Sequence, residues 1–265
     1  MIHSILSFAA NAAVRCTVSA APAAAVALIR SLAVVLMFGA ATASAGTIEV
    51  STCAQTVRGR GILVADLDCA TASPAAIEVE GRLDLNGHTI IGPPFTTAIH
   101  CLGNCTINGP GTIIGPEGTG VHGRRVTKVK GVTIEGMTLA VSASPTAGKG
   151  TLLVDDCKLT DNRVGIESHV PTRVFDTVIS GASRWGVSVG SGFVTNGVPC
   201  ESRSLLLKRS SVTGSGGDAI CGDTHNCADI VTCVKPPRLT TSTCGTSCQG
   251  ATGVPCSSWG VCSGD

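Results

Sequence analysis

Five side chains in this sequence are suited to chemistry, namely His100, His122, Arg124, Glu167 and His169. The histidines at 100 and 122 and the glutamate each follow a β-branched residue, in the order Ile-His, Val-His and Ile-Glu. Successive side chains of a strand point to opposite faces, so a residue that follows an inward apolar residue points outward. We therefore predict that the five side chains share one outer sheet surface, with His100 and His122 as stacked neighbours.

Three interpretations fit this cluster. In the first, His or Glu transfers a proton on an acidic sugar chain while Arg neutralises a uronate carboxylate. The catalytic candidates are then His100, His122, Glu167 and His169. In the second, the two stacked histidines bind a transition metal such as copper or zinc. In the third, which we favour, the His and Glu side chains are simply exposed on a solvated sheet and have no chemical role. No metal and no cofactor are predicted.

The candidates for substrate binding are basic or aromatic: Arg124, Lys128, Lys130 and Trp185. The three basic residues form one group with Arg125, which predicts a solvated loop, with an anion-binding groove as the alternative. Trp185 could stack on a sugar, but a single tryptophan at a turn more often covers apolar core.

These residues belong to a repeat of about 20 residues. The phrase RLDLNGHTIIG, from 82 to 92, returns as CTINGPGTIIG, from 105 to 115. Apolar pairs five or six residues apart recur as Leu85/Ile90, Ile107/Ile113, Ile134/Leu139, Val154/Leu159, Val174/Ile179 and Leu207/Val212. A second apolar position follows as Ile99, Val121, Ile166, Val187 and Ile220. Short β-branched runs at this period predict a solenoid of strands, because each repeat buries its apolar side chains against the next.

The outward neighbours of the second apolar position would form one row along the solenoid. That row is His100, His122, then Ser142 or Gly148, then Glu167, Ser188 and Cys221. Asn86-Gly87 and Asn108-Gly109 are predicted as corner turns, since Asn and Gly tolerate left-handed backbone. Stacked Asn side chains could then hydrogen-bond along the solenoid.

The segments LDLNGHTIIG (83–92), LTDNRVGIES (159–168) and SVTGSGGDAIC (211–221) resemble repeats of right-handed parallel β-helix proteins of the pectin-lyase-like group. The likeness covers 62–221 and implies an all-β, single-stranded right-handed parallel β-helix, here of about six or seven coils. VGIESH (164–169) is similar to the Tyr-Gly-Phe-Asp-Pro-His stretch of alginate epimerases, with Glu167 and His169 at its Asp and His. Val164 stands where that motif has Tyr, and the chain contains no Tyr.

The first 45 residues are predicted to be a secretory signal, with a membrane anchor as the alternative. They contain no acidic residue, and Arg15 and Arg30 precede an apolar run that ends at Ala43-Ser44-Ala45. Without these two arginines the 19 basic residues become 17, against 18 acidic residues, a formal net charge of −1. Nothing in this balance suggests nucleic acid or an anionic membrane as a partner.

Cysteine usage predicts disulfides in an oxidising compartment. Of the 14 cysteines, Cys16 lies in the leader and seven lie between 221 and 262. A zinc module is the alternative, but no Cys-x-x-Cys pair occurs. We predict Cys53–Cys69 and Cys101–Cys105 bridges, a free Cys157, and a bridge from Cys200 to the C-terminal segment.

The sequence thus predicts a signal peptide at 1–45, a β-helix domain at 46–222 and a Cys-rich irregular cap at 223–265. The favoured function is a secreted, monomeric, non-catalytic scaffold that binds a polysaccharide or a cell-surface component, without a membrane span in the mature chain. The alternative is a polysaccharide lyase or epimerase acting on a uronate polymer. The missing polygalacturonase motifs and the low charge favour the scaffold.

Overall fold

The computed structural model describes residues 46–145, 149–190, 202–216, 228–249 and 257–265. Every regular element in these ranges is a β-strand, and the strands stack in parallel as a solenoid with three faces. The stack makes about six turns, which confirms the all-β parallel solenoid. Within the described ranges no helix is long and apolar enough to cross a membrane.

Three long strands start on the first face and end on the second: β2 (Gln55–Leu63), β4 (Ala75–Asp84) and β6 (Thr97–Asn108). The first face continues with β8 (Thr119–Gly123), β11 (Leu139–Ala143), β14 (Val164–Ser168), β17 (Trp185–Val189), β20 (Ile230–Thr232) and β23 (Ser247–Gln249). The second face begins with β1 (Thr47–Val50) and continues with β9 (Val126–Lys130), β12 (Thr151–Asp155), β15 (Thr172–Phe175), β18 (Leu205–Lys208) and β21 (Arg238–Thr240).

The third face is a separate sheet of short strands. It contains β3 (Leu67–Asp68), β5 (Thr89–Ile91), β7 (Thr112–Ile114), β10 (Thr133–Glu135), β13 (Lys158–Thr160), β16 (Val178–Ser180), β19 (Ser211–Thr213) and β22 (Thr243–Cys244). The strands at its two ends have two residues each and the others three.

The core consists of inward side chains that are aligned from strand to strand. On the first face these are Ile77, Ile99, Val121, Val141, Ile166, Val187 and Ile230, and all are fully buried. On the third face Ile90, Ile113, Ile134, Leu159, Ile179 and Val212 are aligned in the same way. Each side chain is covered by those above and below it, so apolar residues in a two-residue alternation fill the interior.

The register differs from the predicted repeat at two apolar pairs. Leu83, and not Leu85, lies beside Ile107, because Leu85 is buried at the corner that follows β4. The residue aligned with Ile107 on the next strand is Val129, whereas Ile134 lies beside Ile113 on the third face. The equal five-residue spacing of the apolar pairs concealed this shift from one strand to the next.

The Asn-Gly phrases do not form an asparagine stack. Asn86 is in a left-handed turn with φ of 50°, as predicted, and its side-chain amide donates to the Leu63 carbonyl at 3.2 Å. Asn108 is instead the last residue of β6, paired with Asp84 on one side and Lys130 on the other. The two phrases are therefore offset by two residues in the stack.

A regular turn joins the second and third faces. Its first residue has a left-handed backbone in five stacked turns, namely Gly131, Asp156, Asp176, Arg209 and Thr241, with φ between 47° and 65°. Its second residue forms a turn ladder of Cys157, Thr177, Ser210 and Ser242. Each backbone amide donates to the side-chain oxygen of the next turn, at 3.3, 3.3 and 3.1 Å.

Cys157 is the first member of the turn ladder and is free, as predicted. Burial raises the pKa of its thiol to about 11. The thiol therefore stays protonated at neutral pH, and its Sγ lies 3.2 Å from the Asp155 carbonyl, as a weak donor.

Disulfides join the cysteine pairs Cys53–Cys69, Cys101–Cys105 and Cys244–Cys262, of which the first two were predicted. Cys233 and Cys248 are also disulfide-bonded. Cys200, Cys221, Cys227 and Cys256 lie outside the described residues, and so does the predicted bridge from Cys200.

Parallel pairing continues into the segment that the sequence predicts as a cap. Strands β20, β21 and β22 pair with β17, β18 and β19, because Ile230 and Cys244 keep the inward apolar positions. The final residues are held by Cys244–Cys262 and by the Asp265 carboxylate, which accepts from the amides of Ser247, Val261 and Cys262 at 2.6 to 2.8 Å. Partial burial raises the pKa of Asp265, but the Ser247 hydroxyl and these amides together lower it to about 2.

Candidate functional site

The candidate site is a row of outward residues on the first face, one strand apart. This histidine row consists of Glu78, His100, His122, Ser142, Glu167 and Ser188, joined residue by residue through parallel pairing. The predicted register of His100 and His122 is confirmed, and Ser142 takes the position for which Ser142 and Gly148 were the alternatives. Gly148 lies outside the described residues.

The row ends differently from the prediction. The strand beside Ser188 is β20, which places Val231 there rather than Cys221. The chain between β19 and β20 is longer than the connections of the earlier turns, so the apolar residue that continues the column is Ile230 and not Ile220.

His100 and His122 are in ring contact. Their ring centroids are 5.4 Å apart, and the ring planes are tilted by 48°. On its other side, His122 Nδ1 lies 3.3 Å from the Ser142 hydroxyl and forms a hydrogen bond with it. The His122 imidazole is therefore held between the His100 ring on one side and the Ser142 hydroxyl on the other.

Both histidines are kept neutral by their surroundings. Burial lowers the pKa of His122 to about 4, and the charges of His100 and Arg124 act in the same direction. Burial also lowers the pKa of His100, with Arg124 adding to the effect and Glu78 opposing it. At neutral pH the pair consists of two uncharged rings next to one guanidinium.

Glu167 and His169 form a second pair further along the same face. His169 Nε2 lies 3.9 Å from Glu167 Oε1, and the His169 amide donates to the Ala143 carbonyl at 2.8 Å. Ser142 separates His122 from Glu167, so these two side chains are two strand spacings apart, about 9.6 Å. Of the five predicted side chains, His100, His122 and Glu167 point outward from strands of the first face, whereas Arg124 and His169 lie in the turns directly after β8 and β14. They form two groups rather than one convergent cluster.

Access to the row changes along its length. His100 and His122 are partly exposed, whereas Ser142 and Glu167 are each 7% exposed and Ser188 is fully buried. Trp185, on the same face, is 6% exposed and packs in an outer apolar cluster with Val164, Val231 and Cys248. The Trp185 ring therefore covers apolar surface, and the Arg184 guanidinium lies 4.1 Å from its centroid.

The remaining basic candidates lie elsewhere. Lys128 and Lys130 are on strand β9 of the second face, so the expectation of a solvated loop is wrong for them. They point outward because Thr127 and Val129, which alternate with them, are buried. Lys130 Nζ pairs with Asp155 at 3.1 Å.

Glu78 also belongs to the histidine row, although it is not among the residues predicted from the sequence. The signal was present, since Ile77-Glu78 has the same apolar-then-polar order as Ile99-His100, at a distance of 22 residues. Within the described ranges no group of three or more His, Cys, Asp or Glu could hold a metal. The row can thus offer uncharged imidazoles and a hydroxyl as hydrogen-bond partners, and one carboxylate at its open end.

No protein-family model, curated protein or solved structure matches this chain.

The low pKa of His122 predicts an acid-dependent loss of stability. An unfolded chain binds this proton near the ordinary pKa of 6.5 and the folded chain only near 4. The free energy of unfolding should therefore fall between pH 6.5 and 4 and level off below. The variant His122→Gln should lose less stability between pH 7 and 4.5 in urea denaturation than the original protein does. Thr106→Gln, an outward and non-titratable position on the second face, serves as the control and should behave like the original protein; equal losses in all three would contradict the assignment.

Proposed function

We propose that this chain is an exported, non-catalytic β-solenoid that binds a polysaccharide or another cell-surface component along the histidine row. The observation that carries the proposal is the pair of neutral histidines in ring contact on the first face. A general base works best when its pKa is near the working pH, and His122, with a pKa of about 4, is far below it. Neutral imidazoles remain good donors and acceptors for sugar hydroxyls.

The position of Glu167 also favours binding over catalysis. A proton transfer needs the acid or base within hydrogen-bond reach of the reacting atom. Glu167 is nearly buried and two strands away from His122, so one sugar ring would not contact both. The accessible part of the row, from Glu78 to His122, contains one carboxylate and the histidine pair.

Export is supported by the sequence and by the oxidised cysteines. Residues 1–45 have the composition of a secretory signal, and disulfides persist mainly outside the cytosol. The resemblance of the repeats to the pectin-lyase-like group supports a carbohydrate partner, because that group includes many polysaccharide-binding proteins.

The test is a binding screen with neutral polysaccharides, using the original protein and the double variant His100→Ala/His122→Ala. These side chains point outward, so circular dichroism should show an unchanged fold, while affinity for the bound polymer should fall about tenfold or more. His88→Ala is the matched control. Unchanged affinity in the double variant would exclude the row as the binding site.

A parallel assay distinguishes the alternative function. A lyase acting at the row would generate double bonds that absorb ultraviolet light, and an epimerase would change the uronate composition. Neither signal is expected for the original protein. If the original protein gives either signal and the double variant does not, the chain is an enzyme acting at the histidine row, and the proposal of a non-catalytic function is wrong.

A further inference from the structure

The outward residues of the second face form a row of unusual charge. From β1 to β21 these aligned residues are Thr47, Arg60, Arg82, Thr106, Lys128, Leu153, Arg173, Leu206 and Arg238. Five of the nine are Arg or Lys, and none is acidic. This basic row spans eight strand spacings, about 38 Å.

The neighbouring outward row shows that the charge is specific to this position. Two residues further along the same strands lie Glu49, Ile62, Asp84, Asn108, Lys130, Asp155, Phe175, Lys208 and Thr240. That row mixes acids and bases and contains the Lys130–Asp155 ion pair at 3.1 Å. The unbalanced cations are thus confined to the basic row, whereas the charges of the neighbouring row are mixed. This arrangement creates a strip of positive potential along the sheet.

The C-terminal half of the basic row lies in a groove of about 500 Å³. Lys128, Arg173 and Arg238 line this groove together with Leu153 and Leu206, which stand between them in the row, and with Phe175. Within the described ranges none of the three cations makes an ion pair, whereas Arg58, Arg82, Lys130 and Arg209 each do. The three positive charges are therefore available to a ligand.

The spacing of these groups indicates the shape of the ligand. Successive cations are two strands apart, about 9.6 Å, with a leucine midway. This distance is comparable to the length of two pyranose rings, so the carboxylates of every second sugar in a uronate chain match the repeat. The leucines and Phe175 offer apolar contact to the C–H faces of the sugars, and the Arg guanidinium groups can bind carboxylates in a bidentate manner.

A nucleic acid fits less well. Phosphates of one DNA strand follow each other at about 3.4 Å along the helix axis, and single strands are usually held by several stacked aromatic rings. Among the residues that the structure describes, the groove is lined by one aromatic side chain, Phe175, and by three cations at much wider intervals.

We propose that the basic row on the second face is a binding site for an extended acidic polysaccharide whose carboxylates bind Lys128, Arg173 and Arg238. This site is separate from the histidine row and does not depend on it. The chain lies along the solenoid axis, across β9, β12, β15, β18 and β21, with its sugar rings over the two leucines.

The experiment compares the triple variant Lys128→Ala/Arg173→Ala/Arg238→Ala with the original protein on polygalacturonate and on the neutral polymer dextran. The three side chains are exposed, so the fold should be unchanged by circular dichroism. We expect the original protein to prefer polygalacturonate. The affinity of the triple variant for this polymer should be lower by about tenfold or more. The matched control is Lys130→Ala/Lys208→Ala, which removes two cations from the neighbouring row and should change affinity little.

Further measurements keep the two sites distinct. The variant His100→Ala/His122→Ala should retain polygalacturonate binding at the basic row, whatever it does at the histidine row. Binding by the original protein should weaken as sodium chloride is raised, since the contacts are ionic, and this readout needs no variant. The proposal is overturned if the triple variant binds as before, if the control loses as much affinity, if salt has no effect, or if an oligonucleotide binds more tightly than the uronate polymer.

Discussion

Replacement of Gly109 by Ala is expected to destabilise the protein by about 3 kcal/mol or more, in the range of severe overpacking. A Cβ atom at this position would overlap the backbone carbonyl oxygen of Gly131 in the next turn. Neither backbone can move freely, because the Gly109 amide donates to the Lys130 carbonyl at 2.7 Å and the Gly131 amide to the Asp155 carbonyl at 3.0 Å. Urea denaturation followed by circular dichroism measures the loss.

Gly87 provides the matched control, in the other copy of the Asn-Gly phrase. It has a left-handed backbone with φ of 82°, and nothing lies within 4 Å of an added Cβ. Gly87→Ala should therefore cost only the conformational strain, about 1–2 kcal/mol. A Gly109→Ala protein as stable as the Gly87→Ala protein would show that close approach of the turns does not limit this corner.

Removal of the Asp229 carboxylate is expected to be comparably severe. This side chain belongs to a residue that is 3% exposed, and it accepts from the amides of Ser215, Gly245 and Thr246 at 2.9, 2.6 and 3.1 Å. Asp229→Ala would leave these amides without their partner, which predicts a loss of about 3–5 kcal/mol. Asp229→Asn keeps one acceptor oxygen, so its free energy of unfolding should lie between those of the original protein and Asp229→Ala.

Asp66 is the matched control for this effect. Its carboxylate also accepts from a backbone amide, that of Thr89 at 2.8 Å, but the side chain is largely exposed. Water can replace it, so Asp66→Ala should lower the free energy of unfolding much less. Hydrogen exchange should also accelerate at Gly245 and Thr246 in Asp229→Ala; unchanged exchange there would contradict the structural role of Asp229.

Much of the fold could be predicted because its physics is local and repeated. An inward apolar residue followed by an outward polar one, as in Ile99-His100 and Val121-His122, fixes the face of each strand and hence the neighbours in the stack. The exact columns could not be predicted where corners vary. Leu85 is apolar and buried like a column residue, yet it belongs to a corner, and only the hydrogen bonds of the neighbouring turns distinguish the two.

The candidate site could be predicted in part for the same reason. Residues in one register, such as His100 and His122, were identifiable from spacing alone, whereas the burial of Glu167 depends on what packs over the outer surface of the first face. The spacing of the basic row is also visible in the sequence, with Arg82, Thr106 and Lys128 at steps of 24 and 22 residues. The row does not follow from the sequence analysis, because Lys128 is predicted there to lie in a loop, and a loop residue has no fixed register.

The disulfides also have a consequence for how this molecule opens. In a one-dimensional stack each inner turn has two neighbours and each terminal turn only one, so fraying starts at the termini. Cys53–Cys69 closes the chain around the first strands, and Cys244–Cys262 ties the last residues to the third face. These bridges lie where a linear array is weakest, so they convert a structure that would melt turn by turn from its ends into one that opens more nearly as a unit.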